Sequence, residues 1–141
     1  MIAIDTNVLV RYSHNDGDPQ RALAIRLIDD ECSALRPGFV SQVVLAEFAW
    51  VYRQVLKRTK AETLETLRQI MDNPNLSIQQ AELVEGVLDD YARGRADFAD
   101  YLIAAVGVAH GAVPTLTFDR VAACEPGFSP VEEGLNHSGR T

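Results

Sequence analysis

Lysine is nearly absent from this 141-residue chain, which holds only Lys57 and Lys60. Neither follows a predicted strand or a glycine-rich loop, so a phosphate-cradling loop with its lysine is excluded, as is the lysine that accompanies the aspartates of a receiver module. Two cysteines, Cys32 and Cys124, are far apart and lack metal-ligand spacing. A disulfide framework and a structural zinc site are therefore excluded, and both cysteines are expected to be reduced thiols with packing roles. No run approaches the roughly 18 apolar residues of a membrane span. The start, Met1-Ile2-Ala3-Ile4-Asp5, meets an acid at once and lacks the basic stretch of a secretory signal, so a cytoplasmic location is expected. Histidine is also sparse, His14, His110 and His137 show no partner suited to general-base work, and no serine lies in a nucleophile elbow.

Acid is what the chain has in excess, with 20 Asp and Glu against 13 Lys and Arg and a formal charge of −7. That sign would oppose phosphate binding if charge were spread evenly, but uncompensated carboxylates are what a divalent cation needs, and the cation then reverses the local field. The length suits one domain over residues 1–133, and the polar, glycine-containing segment 134–141 is expected to be a disordered tail.

Short apolar runs alternate with helical patterns. Met1 to Ile4 reads as a buried strand broken by Asp5-Thr6-Asn7, after which a short helix begins. Asp18-Pro19 opens a helix to about Cys32, and Ser41 caps another over Gln42 to Leu56 with Val44, Phe48, Val51 and Val55 on one stripe. Helices are also expected over Thr59 to Met71, Ala81 to Tyr91 and Asp97 to His110, the last apolar on nearly every side and so buried. Leu76 to Ile78 and Val113 to Phe118 read as strands. The alternation indicates an α/β fold whose mainly parallel sheet is flanked by helices, with ligands bound beyond the carboxyl ends of its strands.

Asp5 and Asp119 both follow predicted strands and should project at that edge. Glu47 falls among Val44, Trp50 and Val51 in the apolar arc of its helix, where an unpaired carboxylate is costly. Asp97 and Asp100 share the start of a helix, where the macrodipole favours anions. Each acid alone has an ordinary explanation: Asp5 and Asp97 as caps, Glu47 in an internal pair, Asp119 as the first residue of a loop. Converging on one edge, they would form a set of hard oxygen ligands suited to Mg²⁺ or Mn²⁺.

Ile4-Asp5-Thr6-Asn7-Val8-Leu9, Val44-Leu45-Ala46-Glu47-Phe48-Ala49-Trp50, Asp97-Phe98-Ala99-Asp100-Tyr101-Leu102-Ile103-Ala104 and Leu116-Thr117-Phe118-Asp119 stand in the order and spacing of the PIN-domain ribonucleases. The chain most closely resembles the VapC-type toxins of bacterial toxin–antitoxin pairs, from Met1 to about Pro130. The resemblance implies a PIN-like three-layer fold and a Mg²⁺-dependent endoribonuclease, with Mn²⁺ a possible substitute. It implies that Asp5, Glu47 and Asp100 form the central acidic triad, with Asp119 as fourth acid and Asp97 as an extra ligand. Thr6, Asn7 and Thr117 would be polar supports. Arg11 and Arg120 are candidate RNA contacts, with Arg53, Lys57, Arg58, Arg93 and Arg95 further candidates. The resemblance also implies a cognate antitoxin protein and a homodimer or toxin–antitoxin hetero-oligomer. An RNA-processing nuclease without a toxin role, and a non-catalytic metal-binding module whose acids are caps and internal pairs, remain as alternatives.

Overall fold

Strand β1 (Ile2–Ala3) pairs in parallel with β2 (Gly38–Val40), and β2 pairs in parallel with β3 (Leu76–Ile78), Ile2 opposite Gly38 and Gly38 opposite Leu76. Parallel neighbours need a crossover, and helices supply each one. The computed structural model describes residues 1–138, which form two compact units divided after Glu85.

The first unit holds the three-stranded sheet and its crossovers. Between β1 and β2 run α1 (Thr6–Ser13) and α2 (Gln20–Ile25), and between β2 and β3 run α3 (Gln42–Trp50) and α4 (Lys60–Asp72). As expected from Asp18-Pro19, Asp18 Oδ1 accepts from Gln20 N at 2.8 Å at the start of α2. Ser41 Oγ accepts from Val44 N at 3.2 Å at the start of α3. Both helices continue into wider π-helical turns, Arg26–Glu31 and Val51–Val55, where Cys32 N bonds Leu27 O and Leu56 N bonds Val51 O, each at 2.9 Å. Thr59 and Glu62 close a reciprocal capping box at the start of α4. β2 was not expected from the sequence. It is three residues long, and its Gly38 lies so near Ile4 that a Cβ there would sit 2.8 Å from Ile4 Cγ1.

The apolar stripe of α3 differs from the expected one. Leu45, Phe48, Ala49 and Tyr52 are buried, with the Phe48 and Tyr52 rings stacked at 4.5 Å. Val44 and Val51 are half-buried, Val55 is exposed, and Trp50 is 60% exposed. Cys32 is buried as a packing residue, whereas Cys124 is exposed, its thiol donating to Arg120 O at 3.4 Å, which corrects the expectation for the second thiol.

The second unit contains α6 (Phe98–Ala109), the parallel pair β4 (Thr115–Thr117) and β5 (Phe128–Pro130), a 3₁₀ turn at Ala122–Cys124, and α7 (Val131–Ser138). α5 (Ala81–Arg93) contributes its first turn to the first unit and the rest to the second. Among the described residues every strand pairing is parallel, so the α/β class with a PIN-like parallel arrangement stands, its strands lying in one three-stranded and one two-stranded sheet. Burial of α6 is confined to its start, at Phe98, Tyr101 and Leu102, while Ile103 and Val108 are more than half exposed. A uniformly apolar helix is thus not a uniformly buried one here. α7 extends through Ser138 into the segment read from sequence as a tail, and residues 139–141 lie outside the described residues. No helix among the described residues is long and apolar enough to cross a membrane.

Candidate active site

In the first unit, the chain leaves β1 through buried Ile4, whose N–H donates to Phe39 O at 2.8 Å, and turns at Asp5 into α1. Asp5 holds the N-cap position with extended backbone (φ −80, ψ 158), and its carbonyl accepts from Leu9 N at 3.2 Å. Its carboxylate makes no capping bond and is exposed. The cap explanation therefore accounts for Asp5's backbone and leaves its side chain unused.

Because β1 and β2 are adjacent and parallel, α1 and α3 start side by side from their carboxyl ends. Thr6, buried in the first turn of α1, donates from Oγ1 to Glu47 Oε1 at 2.9 Å. Glu47 is exposed rather than set in the buried arc of α3, a correction whose reason is the stripe described above: the buried residues Leu45 and Phe48 turn Glu47 outward. Asn7 is exposed and lines a cavity of about 350 Å³ with Val8, Arg11, Leu23, Ala24 and Leu27. Arg11 lies 3.2 Å from Asp18 Oδ2 and 3.7 Å from Asp16 Oδ2, so its charge is already matched locally.

In the second unit, β4 delivers Asp119 just beyond its end. Asp119 N donates to Thr117 Oγ1 at 3.0 Å, and Asp119 Oδ1 accepts from Val121 N and Ala122 N at 2.8 and 3.0 Å. One carboxylate oxygen is thus engaged by the turn that follows, and Thr117 is a polar support of the backbone. Asp97 is the N-cap residue of α6, and its N–H donates to Asp100 Oδ2 at 3.1 Å. Asp100 is half-buried, and its carboxyl is held above the usual range first by burial and then by the negative charges of Asp97 and Asp119, against the Asp97 N–H that lowers it. Asp97 and Asp100 at the start of α6 and Asp119 after β4 thus share one field in this unit. Arg120, next to Asp119, is exposed.

Most of the other basic candidates have local partners. Arg53 donates to Arg58 O at 2.7 Å, Arg58 pairs with Glu62 at 3.0 Å and Arg93 with Asp90 at 2.9 Å. Lys57 is exposed at a left-handed backbone position (φ 55), and Arg95 is exposed beside Asp97. Sequence reasoning missed Tyr101 and Glu125, joined by a 2.5 Å hydrogen bond next to the acids of the second unit. A tyrosine inside an apolar run and a glutamate beyond a strand carry no periodic signal.

The carboxylates are hard oxygen donors whose chemistry fits Mg²⁺ or Mn²⁺. Within neither unit do three or more His, Cys, Asp or Glu side chains among the described residues stand close enough to hold an ion by themselves. Among known families, the PIN domain model matches residues 2–123. The chain belongs to the PIN domain family. PIN domains are in general metal-dependent nucleases, which makes the chain a nuclease of the hydrolase class with nucleic acid as its substrate. The match reaches from the first unit into the second as far as residue 123 and covers Asp5, Glu47, Asp97, Asp100 and Asp119. Among curated proteins, none matches this PIN domain.

Proposed function

We propose that this PIN domain is a Mg²⁺-dependent endoribonuclease that hydrolyses RNA phosphodiester bonds, with Asp5, Glu47, Asp100 and Asp119 as the acids of its site and Asp97 as an accessory ligand. The observation that carries the reading is the PIN domain match over residues 2–123, within which Asp100 stands half-buried at the start of α6 beside Asp97. Gathering like charges costs stability, and a bound cation offsets that cost. A divalent ion supplies Lewis acidity toward the phosphodiester and its attacking water when bound. The chain's own part is to keep the oxygens in place: Thr6 orients Glu47, and the turn at Val121–Ala122 fixes one oxygen of Asp119, leaving the other free.

Within that reading, the protein acts as the cytoplasmic toxin of a toxin–antitoxin pair and is held by a cognate antitoxin, alone or as a homodimer. Leu23, 67% exposed at the rim of the cavity formed with Val8, Ala24 and Leu27, supports a seat for an apolar partner segment. Phe48 and Tyr52 are buried and contribute nothing to such a groove. The test is cleavage of defined RNAs with Mg²⁺, with Mn²⁺ and with EDTA, by the parent and by Asp5→Asn. Loss of cleavage in EDTA and in the variant is expected; undiminished cleavage in EDTA overturns the metal-dependent reading. Where a small protein is encoded beside it, co-expression should give a complex with suppressed cleavage, and a freely active pair points to RNA processing without a toxin role.

A further inference from the structure

Behind the acids of the second unit lies a polar knot that ties two loops together. Glu125 Oε1 accepts from Tyr101 Oη at 2.5 Å and also from the Arg95 N–H, while Tyr101 Oη accepts from the Ala96 N–H at 3.1 Å. One side of the knot is the loop 94–96, which leads directly into Asp97 and α6. The other is the 3₁₀ turn Ala122–Cys124, capped at its start by Asp119 and followed at once by Glu125. Tyr101 itself is the residue after Asp100 and is 5% exposed, so its ring has little room to move. Gly94 completes the arrangement: a Cβ there would lie 1.7 Å from Tyr101 Oη and 2.5 Å from Glu125 Oε1.

We propose that Tyr101 and Glu125 are positioning residues that lock the loop before Asp97 to the turn after Asp119, and so fix the spacing of the Asp100 and Asp119 carboxylates. A hydroxyl that both donates to one loop and accepts from the other makes the two move as one piece. The bonds are charge-assisted, and they hold Glu125 below the usual carboxylate range while burial and Glu125 push Tyr101 up to about 12, so both groups keep these roles at neutral pH. What the fixed carboxylates hold rests on the nuclease reading above; the lock itself does not.

Three amide groups report the carboxylates directly: Asp97 N–H, bonded to Asp100, and Val121 N–H and Ala122 N–H, bonded to Asp119. Their hydrogen exchange is compared in the full chain and in Tyr101→Phe, Glu125→Ala, Glu125→Gln and Gly94→Ala. In the first two variants exchange at these amides should rise about tenfold, the effect of losing one net hydrogen bond, while core amides such as that of Leu102 hold their rates. Glu125→Gln, whose carbonyl oxygen still accepts from both donors but without the charge, should fall between the parent and Glu125→Ala. Gly94→Ala should follow Tyr101→Phe. Unchanged protection in folded Tyr101→Phe, equal acceleration throughout the unit, or a Glu125→Gln variant no better than Glu125→Ala overturns the proposal. A second arm titrates Mn²⁺ by electron paramagnetic resonance, where Tyr101→Phe should weaken binding by about tenfold, as loss of support behind a ligand does. A parent that binds no Mn²⁺ refutes the metal-dependent reading, and the exchange data still decide the lock.

Discussion

Thr6 Oγ1 donates to Glu47 Oε1 across 41 residues of sequence, joining the first turn of α1 to the middle of α3. The donor is buried and the acceptor's residue is exposed, so the bond acts on Glu47's orientation more than on the core. Thr6→Val keeps the shape and removes the donor. It should cost about 1–2 kcal/mol of stability in denaturant unfolding and reduce RNA cleavage about tenfold, with Thr6→Ser restoring most of both. Full activity in Thr6→Val would show that Glu47 needs no support.

Asp119 separates ligand from scaffold. Its Oδ1 accepts two backbone N–H groups, a role that an asparagine oxygen fills as well. Asp119→Asn should therefore keep its thermal midpoint and lose cleavage by about 100-fold, the scale of removing a main electrostatic element of a site. Asp119→Ala should lose cleavage and about 1 kcal/mol of stability together, as cap deletions do. A stable, fully active Asp119→Asn excludes the carboxylate from the chemistry.

Asp97 and Asp100 should likewise part company. Asparagine at the N-cap position preserves capping, so Asp97→Asn is expected to retain more activity than Asp100→Asn. Asp100 has a folded pKa raised above its ordinary value of 3.8, so its charge opposes folding at neutral pH and the penalty is relieved as pH falls through the raised value. Asp100→Asn without metal should thus melt a few degrees above the parent while cleaving far less RNA. Equal losses of activity at both positions would make Asp97 a ligand of equal weight.

The acids were legible in the sequence because strand ends and helix starts are, and Asp5, Asp97, Asp100 and Asp119 all sit where those boundaries fall. Glu47 was found for a partly mistaken reason. α3 is apolar on most sides, so periodicity could not tell that the buried row is Leu45, Phe48, Ala49 and Tyr52 and that Glu47 points away from it. β2 carries no strand signal because it follows Pro37 and opens on Gly38, a pair that reads as loop. The π-helical turns, the exposed second half of α6 and the bond from Tyr101 to Glu125 depend on tertiary neighbours, which no local pattern encodes.

The acid limb of the stability profile should carry the mark of the α4 capping box. Glu62 Oε1 accepts from Thr59 N at 3.1 Å and Thr59 Oγ1 at 3.0 Å, and these bonds, with Arg58 nearby, hold its carboxyl below its ordinary 4.5. A lowered folded pKa gives stability that is complete above about pH 4.5 and lost as pH falls through the folded value. Melting curves of parent and Glu62→Gln should accordingly lie a constant distance apart at neutral pH and converge as the solution is acidified below 4.5. A gap that persists to the lowest pH would assign the difference to packing.

The chain has one tryptophan, and Trp50 stands 60% exposed one turn along α3 from Glu47. Residues three apart on a helix are neighbours on its surface. All of the protein's indole emission therefore originates beside a proposed ligand of the cation, in contact with solvent, and no label is needed to watch that part of the surface. Ion or nucleic acid arriving near Glu47 changes the polarity and quenching around a single fluorophore, so occupancy beside Glu47 can be read optically in the unmodified protein.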